Sequence, residues 1–129
     1  MAVEAALSGV VGPFDISPQI YPLGPSDNPS SDTDITALNF PPSDVRAATI
    51  RYTVHRTTDT PNEVDEAGLI MIVYNDLTGT FDQSQVKTSD ASITFSVSNT
   101  GQVSFSTTNI SGSNHSGFIT FAAQSLLND

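Results

Sequence analysis

Apolar and polar positions alternate through most of the second half of the chain, and one stretch breaks the pattern. From Leu69 to Tyr74, apolar or aromatic residues run without interruption, between Gly68 and Asn75-Asp76. The run is rich in β-branched residues and far shorter than the roughly 18–20 apolar residues that cross a bilayer. It predicts a strand buried on both faces, central in a sheet or sandwich, on which the other strands pack.

The flanking segments read as half-buried strands. Between Ala47 and Thr57, Ala48, Ile50, Tyr52 and Val54 fall on one face, and Thr49, Arg51, Thr53 and His55 on the other. A turn at Leu77-Thr78-Gly79 leads into a weaker strand near Thr80 to Val86. Ala91 to Asn99 places Ile93, Phe95 and Val97 on one face, and Gln102 to Thr108 directs Val103 and Phe105 inward. Ser98-Asn99-Thr100-Gly101 between them is a hairpin turn in which Gly101 can take positive φ. The last strand, Gly117 to about Leu126, offers Ile119, Phe121 and Ala123 on one face and Phe118 on the other. Asp34 to Phe40 is a short edge strand with a slip in its alternation, ended by Pro41-Pro42. Thr57 to Glu66 reads as an acidic loop, and Asn109 to Ser116 as a long polar one. No helix is predicted. Short strands with turns at regular spacing indicate an all-β chain, an antiparallel β-sandwich of jelly-roll or immunoglobulin-like type over residues 46–129.

Residues 1–45 differ in character. Seven of the eight prolines lie there, and only Pro61 lies outside. Proline removes amide donors and breaks helices and central strands, so an extended proline-rich arm is expected. The arm also carries Val10, Val11, Phe14, Ile16, Ile20, Tyr21 and Leu23. A disordered tail has few such groups, and burying each is worth about 1.5–3 kcal/mol. An extended segment cannot bury them against itself. They need either the chain's own sandwich or a neighbouring subunit, and these seven residues are taken as a partner-binding arm.

Charge narrows the partners. Fourteen acidic residues oppose four basic ones, for a net charge of −10 over 129 residues. Arg46, Arg51, Arg56 and Lys87 are too few and too scattered for a phosphate-binding surface, so neither nucleic acid nor an anionic membrane is expected. There is no cysteine, hence no disulfide. Met1-Ala2-Val3-Glu4 lacks the basic start of a secretion signal.

Taken together, the strands from about Ile50 to Ala123 resemble a β-sandwich module of tailed-bacteriophage virion proteins, of the capsid-decoration (cement) and tail-fibre types. The resemblance is carried by Ile50-Arg51-Tyr52-Thr53-Val54-His55-Arg56, by Ala67-Gly68-Leu69-Ile70-Met71-Ile72 after the acidic loop, and by Asp90-Ala91-Ser92-Ile93-Thr94-Phe95-Ser96. It continues in Gly101 to Asn109 and in the closing Ser116-Gly117-Phe118-Ile119-Thr120-Phe121. It is a packing pattern, not a chemical one. It implies non-catalytic virion architecture, often trimeric. Such modules usually sit in longer proteins, and here one follows a proline-rich arm, which favours a small decoration protein or a connector.

Chemistry is sparse. No nucleophile elbow, P-loop or dinucleotide fingerprint is present. His55 falls on a strand's polar face and His115 in a Ser/Gly/Asn loop, where solvated histidines are the ordinary outcome. A glycosidase pair such as Asp76 and Asp82 would need a cleft that a small sandwich does not offer. Asp59, Glu63, Asp65 and Glu66 crowd one acidic loop with oxygen ligands that suit calcium, and Asp32 and Asp34 form a second loose pair, but neither matches an EF-hand. His55 and His115 could share a zinc ion only if the fold joined them. Glycan recognition would stack sugars on exposed aromatics, and Tyr52 and Tyr74 are expected to be buried.

The sequence thus reads as a non-enzymatic phage virion protein without a cofactor. The leading expectation is a homotrimeric capsid decoration or cement subunit, made in the host cytoplasm and displayed on the virion surface. Its arm would bind neighbouring capsid subunits. A tail-fibre or baseplate adaptor, a host-glycan-binding module and a small hydrolase are the alternatives.

Overall fold

The computed structural model describes residues 12–128. Eight strands follow in order: β1 (Ile16–Leu23), β2 (Ser30–Asn39), β3 (Val45–Thr58), β4 (Asn62–Asn75), β5 (Thr80–Lys87), β6 (Ile93–Val97), β7 (Gln102–Thr107) and β8 (Ser116–Leu127). One 3-10 turn, Pro25–Asp27, separates the first two. The strands form two antiparallel sheets, one of five strands in the order β1-β8-β3-β4-β5 and one of three in the order β2-β7-β6. The first strand pairs with the last and the second with the last but one, each pair in a different sheet.

Period-two alternation decides which side chains meet between the sheets. Ile50, Tyr52 and Val54 from β3, Ile70 and Ile72 from β4, and Ile119 and Phe121 from β8 lie in one core with Ile35, Phe95, Val103 and Phe105 of the smaller sheet. Aromatic contacts cross the layer: Tyr52 packs on Phe95 with ring centroids 4.7 Å apart, and Tyr21 meets Phe105 edge-on at 5.5 Å. The hairpin between β6 and β7 turns at Gly101, whose φ of 88° and close approach to the Phe40 carbonyl leave no room for a Cβ.

The structure corrects two expectations from the sequence. The first concerns the arm. Residues 16–39 do not form an arm ahead of a sandwich that begins at residue 46; they are β1 and β2, one strand of each sheet. Leu23, Ile35 and Leu38 are fully inside the core, and Phe14, Ile16 and Tyr21 pack against it. The prolines are compatible with this because the two that fall within a strand, Pro18 and Pro22, lie in β1, an edge strand unpaired along one side, and β2 contains none. The slip in the alternation before Phe40 is the irregular register of β2 between Asp34 and Asn39. Asp15 fastens the start of β1, since its carboxylate accepts from the Ser125 amide at 2.7 Å, the Ser125 hydroxyl at 3.0 Å and the Gly12 amide at 2.9 Å. Burial works against that charge, but the hydrogen bonds outweigh it and hold Asp15 below the ordinary carboxylate range.

The second correction concerns the central run. β4 lies between β3 and β5, as a central strand should, yet among the described residues it is covered on one face only. Ile70 and Ile72 are buried, while Leu69, Met71 and Val73 stand 38%, 42% and 42% exposed on the outer face. Three strands cannot cover both sides of five. The acidic segment also differs from expectation: only residues 59–61 turn, and Glu63, Asp65 and Glu66 belong to β4.

One polar residue ties the two layers together at an end. Arg56 is fully buried, and all five guanidinium N–H groups have acceptors. Nε donates to His115 Nε2 at 3.1 Å, Nη1 to the carbonyls of Ala91 at 2.6 Å and Ser92 at 3.2 Å, and Nη2 to Asn28 Oδ1 and the Thr108 carbonyl, both at 2.9 Å. The segments before β2, β6 and β8 and after β7 thus converge on one side chain of β3. Replacing it takes the donor from the buried His115 Nε2 and Ala91 carbonyl, while Asn28 Oδ1 keeps the Ile110 amide and the Ser92 carbonyl keeps the Thr108 amide, so Arg56→Met should cost about 3–5 kcal/mol. Lysine, with three donors at a single point, should recover little of this. Denaturant unfolding of both variants checks the expectation; a loss below about 1 kcal/mol in Arg56→Met would contradict it.

Candidate functional site

The polar side chains singled out in the sequence are separated by the alternation of β3 and β4. His55 points outward and Arg56 inward; Asp65 points outward and Glu66 inward. Asp59 lies in the turn, where it accepts from the Ser113 amide at 2.8 Å and Asn114 Nδ2 at 2.9 Å. The four carboxylates expected to crowd one loop are therefore divided between a turn, an outer face and the core.

His115 is buried. Its Nδ1 lies 2.8 Å from the Gly24 carbonyl and its Nε2 accepts from Arg56, which fixes the proton on Nδ1. It is thus a structural histidine on the inner side of the large sheet, and the fold does not bring it to His55. Glu66 is buried as well: it accepts from the Tyr52 hydroxyl at 2.5 Å and the Ala91 amide at 2.9 Å, with Lys87 Nζ 3.8 Å away. Burial and Glu66 push the Tyr52 phenol well above its usual range, so it remains a donor. Asp76 is bonded to Arg46 at 3.0 Å, and Asp82 stands on the outer face of β5.

What the fold does bring together is His55, Glu63 and Asp65. The register sets His55 opposite Asp65, and Glu63 follows two residues away on the same face of β4. His55 Nδ1 lies 2.6 Å from Asp65 Oδ1 and 3.7 Å from Glu63 Oε2, and one ligand atom from each residue falls within 4.8 Å of the other two. The Phe118 ring from β8 packs on the His55 imidazole at 5.3 Å. An open hollow of about 370 Å³ adjoins them, walled by Thr53, Ala67, Ser89 and Phe118. An imidazole and two carboxylates form a donor set of the kind that divalent ions take. The two carboxylates also share a hydrogen bond, which raises the proton affinity of Glu63 and lowers that of Asp65; His55 lowers Asp65 further.

The larger feature is the outer face of the five-stranded sheet. Leu69, Met71 and Val73 follow one another along it, with Val86 of β5 61% exposed beside them and Ile20 of β1 68% exposed farther across. Phe118 and Leu126 of β8 are exposed on the same side. Of the residues named for a partner-binding arm, Ile20 alone stands well out on this face. Leu23, Tyr21, Ile16 and Phe14 pack into or against the chain's own core, and Val10 and Val11 lie outside the described residues.

The outer face was missed in the sequence because an unbroken apolar run does not say which of its two faces is covered. The inward placement of Arg56 and Glu66 had a usable signal: each continues the inward register of its strand, Arg56 after Val54 and Glu66 before Ile70.

No family model matches the chain, and no curated protein matches it. Among solved structures the fold is similar to the tailspike protein of Acinetobacter phage vB_ApiP_P1, with a TM-score of 0.42 and 12% sequence identity over 92% of this chain and 24% of that one. The chain therefore spans about a quarter of that tailspike's length.

The paired carboxylates give opposite pH dependences. The contribution of Asp65 to stability is present above the ordinary Asp value of about 3.9 and is lost as pH falls through its lowered value. That of Glu63 is present below the ordinary Glu value of about 4.3 and is lost as pH rises through its raised value. Side-chain carboxyl NMR titration should therefore place Glu63 above Asp65, and Asp65→Asn should bring Glu63 down toward the ordinary value. A Glu63 midpoint unmoved by that change would contradict the pairing.

Proposed function

We propose that the chain is a non-enzymatic structural subunit of a tailed-phage virion that binds its neighbours through the outer face of the five-stranded sheet. One observation carries the reading: the central strand β4 presents Leu69, Met71 and Val73 to solvent in succession, although such residues are ordinarily buried. Contiguous apolar faces of this kind are contact surfaces in soluble proteins. Every segment on which the sequence resemblance to phage virion modules rests contributes to a strand: Ile50–Arg56 to β3, Ala67–Ile72 to β4, and the later segments to β6, β7 and β8. Within that role, a shell-decorating or cementing subunit and a tail-fibre or baseplate adaptor use the same physics. Each contact is modest, and repetition over many subunits makes the sum large. The anchoring surface is the sheet face, with Ile20 at its margin, in place of an arm reaching out through residue 45.

The test is made on purified virions of the phage that encodes the chain. Wild-type protein should be recovered on the particles, in many copies spread over the shell for a decoration subunit or a few at one vertex for a tail adaptor. Met71→Asp places a charge on an exposed position, so it should leave the circular-dichroism spectrum and unfolding midpoint almost unchanged and remove the chain from the particles. Undiminished recovery of a folded Met71→Asp variant would overturn the proposed surface, and absence of the wild-type chain from virions would overturn the role.

A further inference from the structure

The register of the large sheet assigns the outer face a specific neighbour. Three rows cross β3, β4 and β5: Arg51-Leu69-Val86, Thr49-Met71-Ser84 and Ala47-Val73-Asp82. Met71 is the centre of this patch, and Arg51 and Asp82 occupy opposite corners. Among the described residues, neither Arg51 nor Asp82 has an ion-pair partner, whereas Arg46 and Lys87 both do. Arg51 is the positive corner and Asp82 the negative corner, and the other seven positions are uncharged in a chain whose net charge is −10. A second copy can therefore approach here with little of the repulsion that the rest of the surface would impose.

We infer that the outer face binds a second copy of the same chain about a two-fold axis that lies in the plane of contact and passes through Met71. The inference rests on the reading of this face as a contact surface and adds the identity of the partner. An isologous contact must be complementary to itself. When the axis runs perpendicular to the line from Arg51 to Asp82, it sets Arg51 of each copy against Asp82 of the other and Met71 against its own counterpart. With strands about 4.8 Å apart and same-face residues about 6.7 Å apart, the strands of the two copies then cross at roughly 70°, near the orthogonal class of sheet packing. A shallow hollow of about 400 Å³ over Ala47, Thr49, Met71, Val73, Asp82 and Ser84 gives the partner's side chains room to enter.

Area sets the strength. Five strands span about 24 Å, so two crossed sheets overlap over about 600 Å² per copy, at the lower end for specific association. The dimer is accordingly weak and concentration-dependent in solution, and it is reinforced where many copies are held together.

Sedimentation velocity from about 1 to about 300 μM tests it, a range set by the modest affinity that such an area supports. The mass should rise from one chain to two. Arg51→Asp and Asp82→Arg should each weaken the dimer at least about tenfold, and the double variant, which restores opposite charges at the corners, should recover it. The chain has no cysteine, so Met71→Cys adds a single thiol, and because packed sheets lie about 10 Å apart a short thiol-to-thiol crosslinker, not a direct disulfide, should link it to its own counterpart. A monomer at every concentration, a trimer, or a double variant no better than the singles would overturn the two-fold contact. If dimerisation fails in this way while Met71→Asp still removes the chain from virions, the face contacts a different protein, and the proposed function stands without the inference. If Met71→Asp leaves virion binding intact as well, both fall.

Discussion

The structure depends on a charge placed where charges rarely lie. Arg56 is enclosed at one end of the core, and no carboxylate among the described residues bonds to its guanidinium. Burial lowers its proton affinity, an effect that the negative charge of Asp27 opposes. What makes the position tolerable is that each of its five donors meets an acceptor from the backbone, Asn28 or His115. Those acceptors come from segments far apart in sequence, which enter strands of both sheets. A single side chain thus holds the connections at one end in register, while aromatic contacts such as Tyr52 on Phe95 hold the middle. Glu66 has the matching role on β4, where it joins Tyr52 to the amide of Ala91.

The strands were largely legible because alternation is a direct consequence of the pleat. Ile50, Tyr52, Val54, Ile93, Phe95, Val103, Phe105, Ile119 and Phe121 face the core as their spacing indicates. Two kinds of information were not in the pattern. Proline density reports where a strand cannot be central, but it does not separate an edge strand from an arm. Pro18 and Pro22 sit within β1, which is paired with β8 along one side and free along the other. The continuous run from Leu69 to Tyr74 likewise reports a central position without saying how many strands lie above and below it.

That second ambiguity bears on function. Ile70 and Ile72 are covered by the chain's own smaller sheet, while among the described residues Leu69, Met71 and Val73 have no covering layer. The polar sites are set by the same geometry. His55, Glu63 and Asp65 lie at one end of the outer face, and Asp76 and Asp82 at the other, so the apolar rows are bordered by acidic groups with Arg51 between them. Under the proposed function, association through this face would bury the apolar rows and leave most of the acidic border in water, where like charges repel.

Met71 reports directly on the proposed burial. Only two methionines are present, Met1 and Met71, and thioether oxidation follows solvent access. Peptide mass spectrometry after a brief exposure to peroxide can compare the dilute chain with the chain on assembled particles. Met71 should oxidise readily in the dilute chain and be strongly protected on the particles. Equal oxidation in both states would mean that the outer face stays open to water after assembly, and would contradict its role as the contact surface.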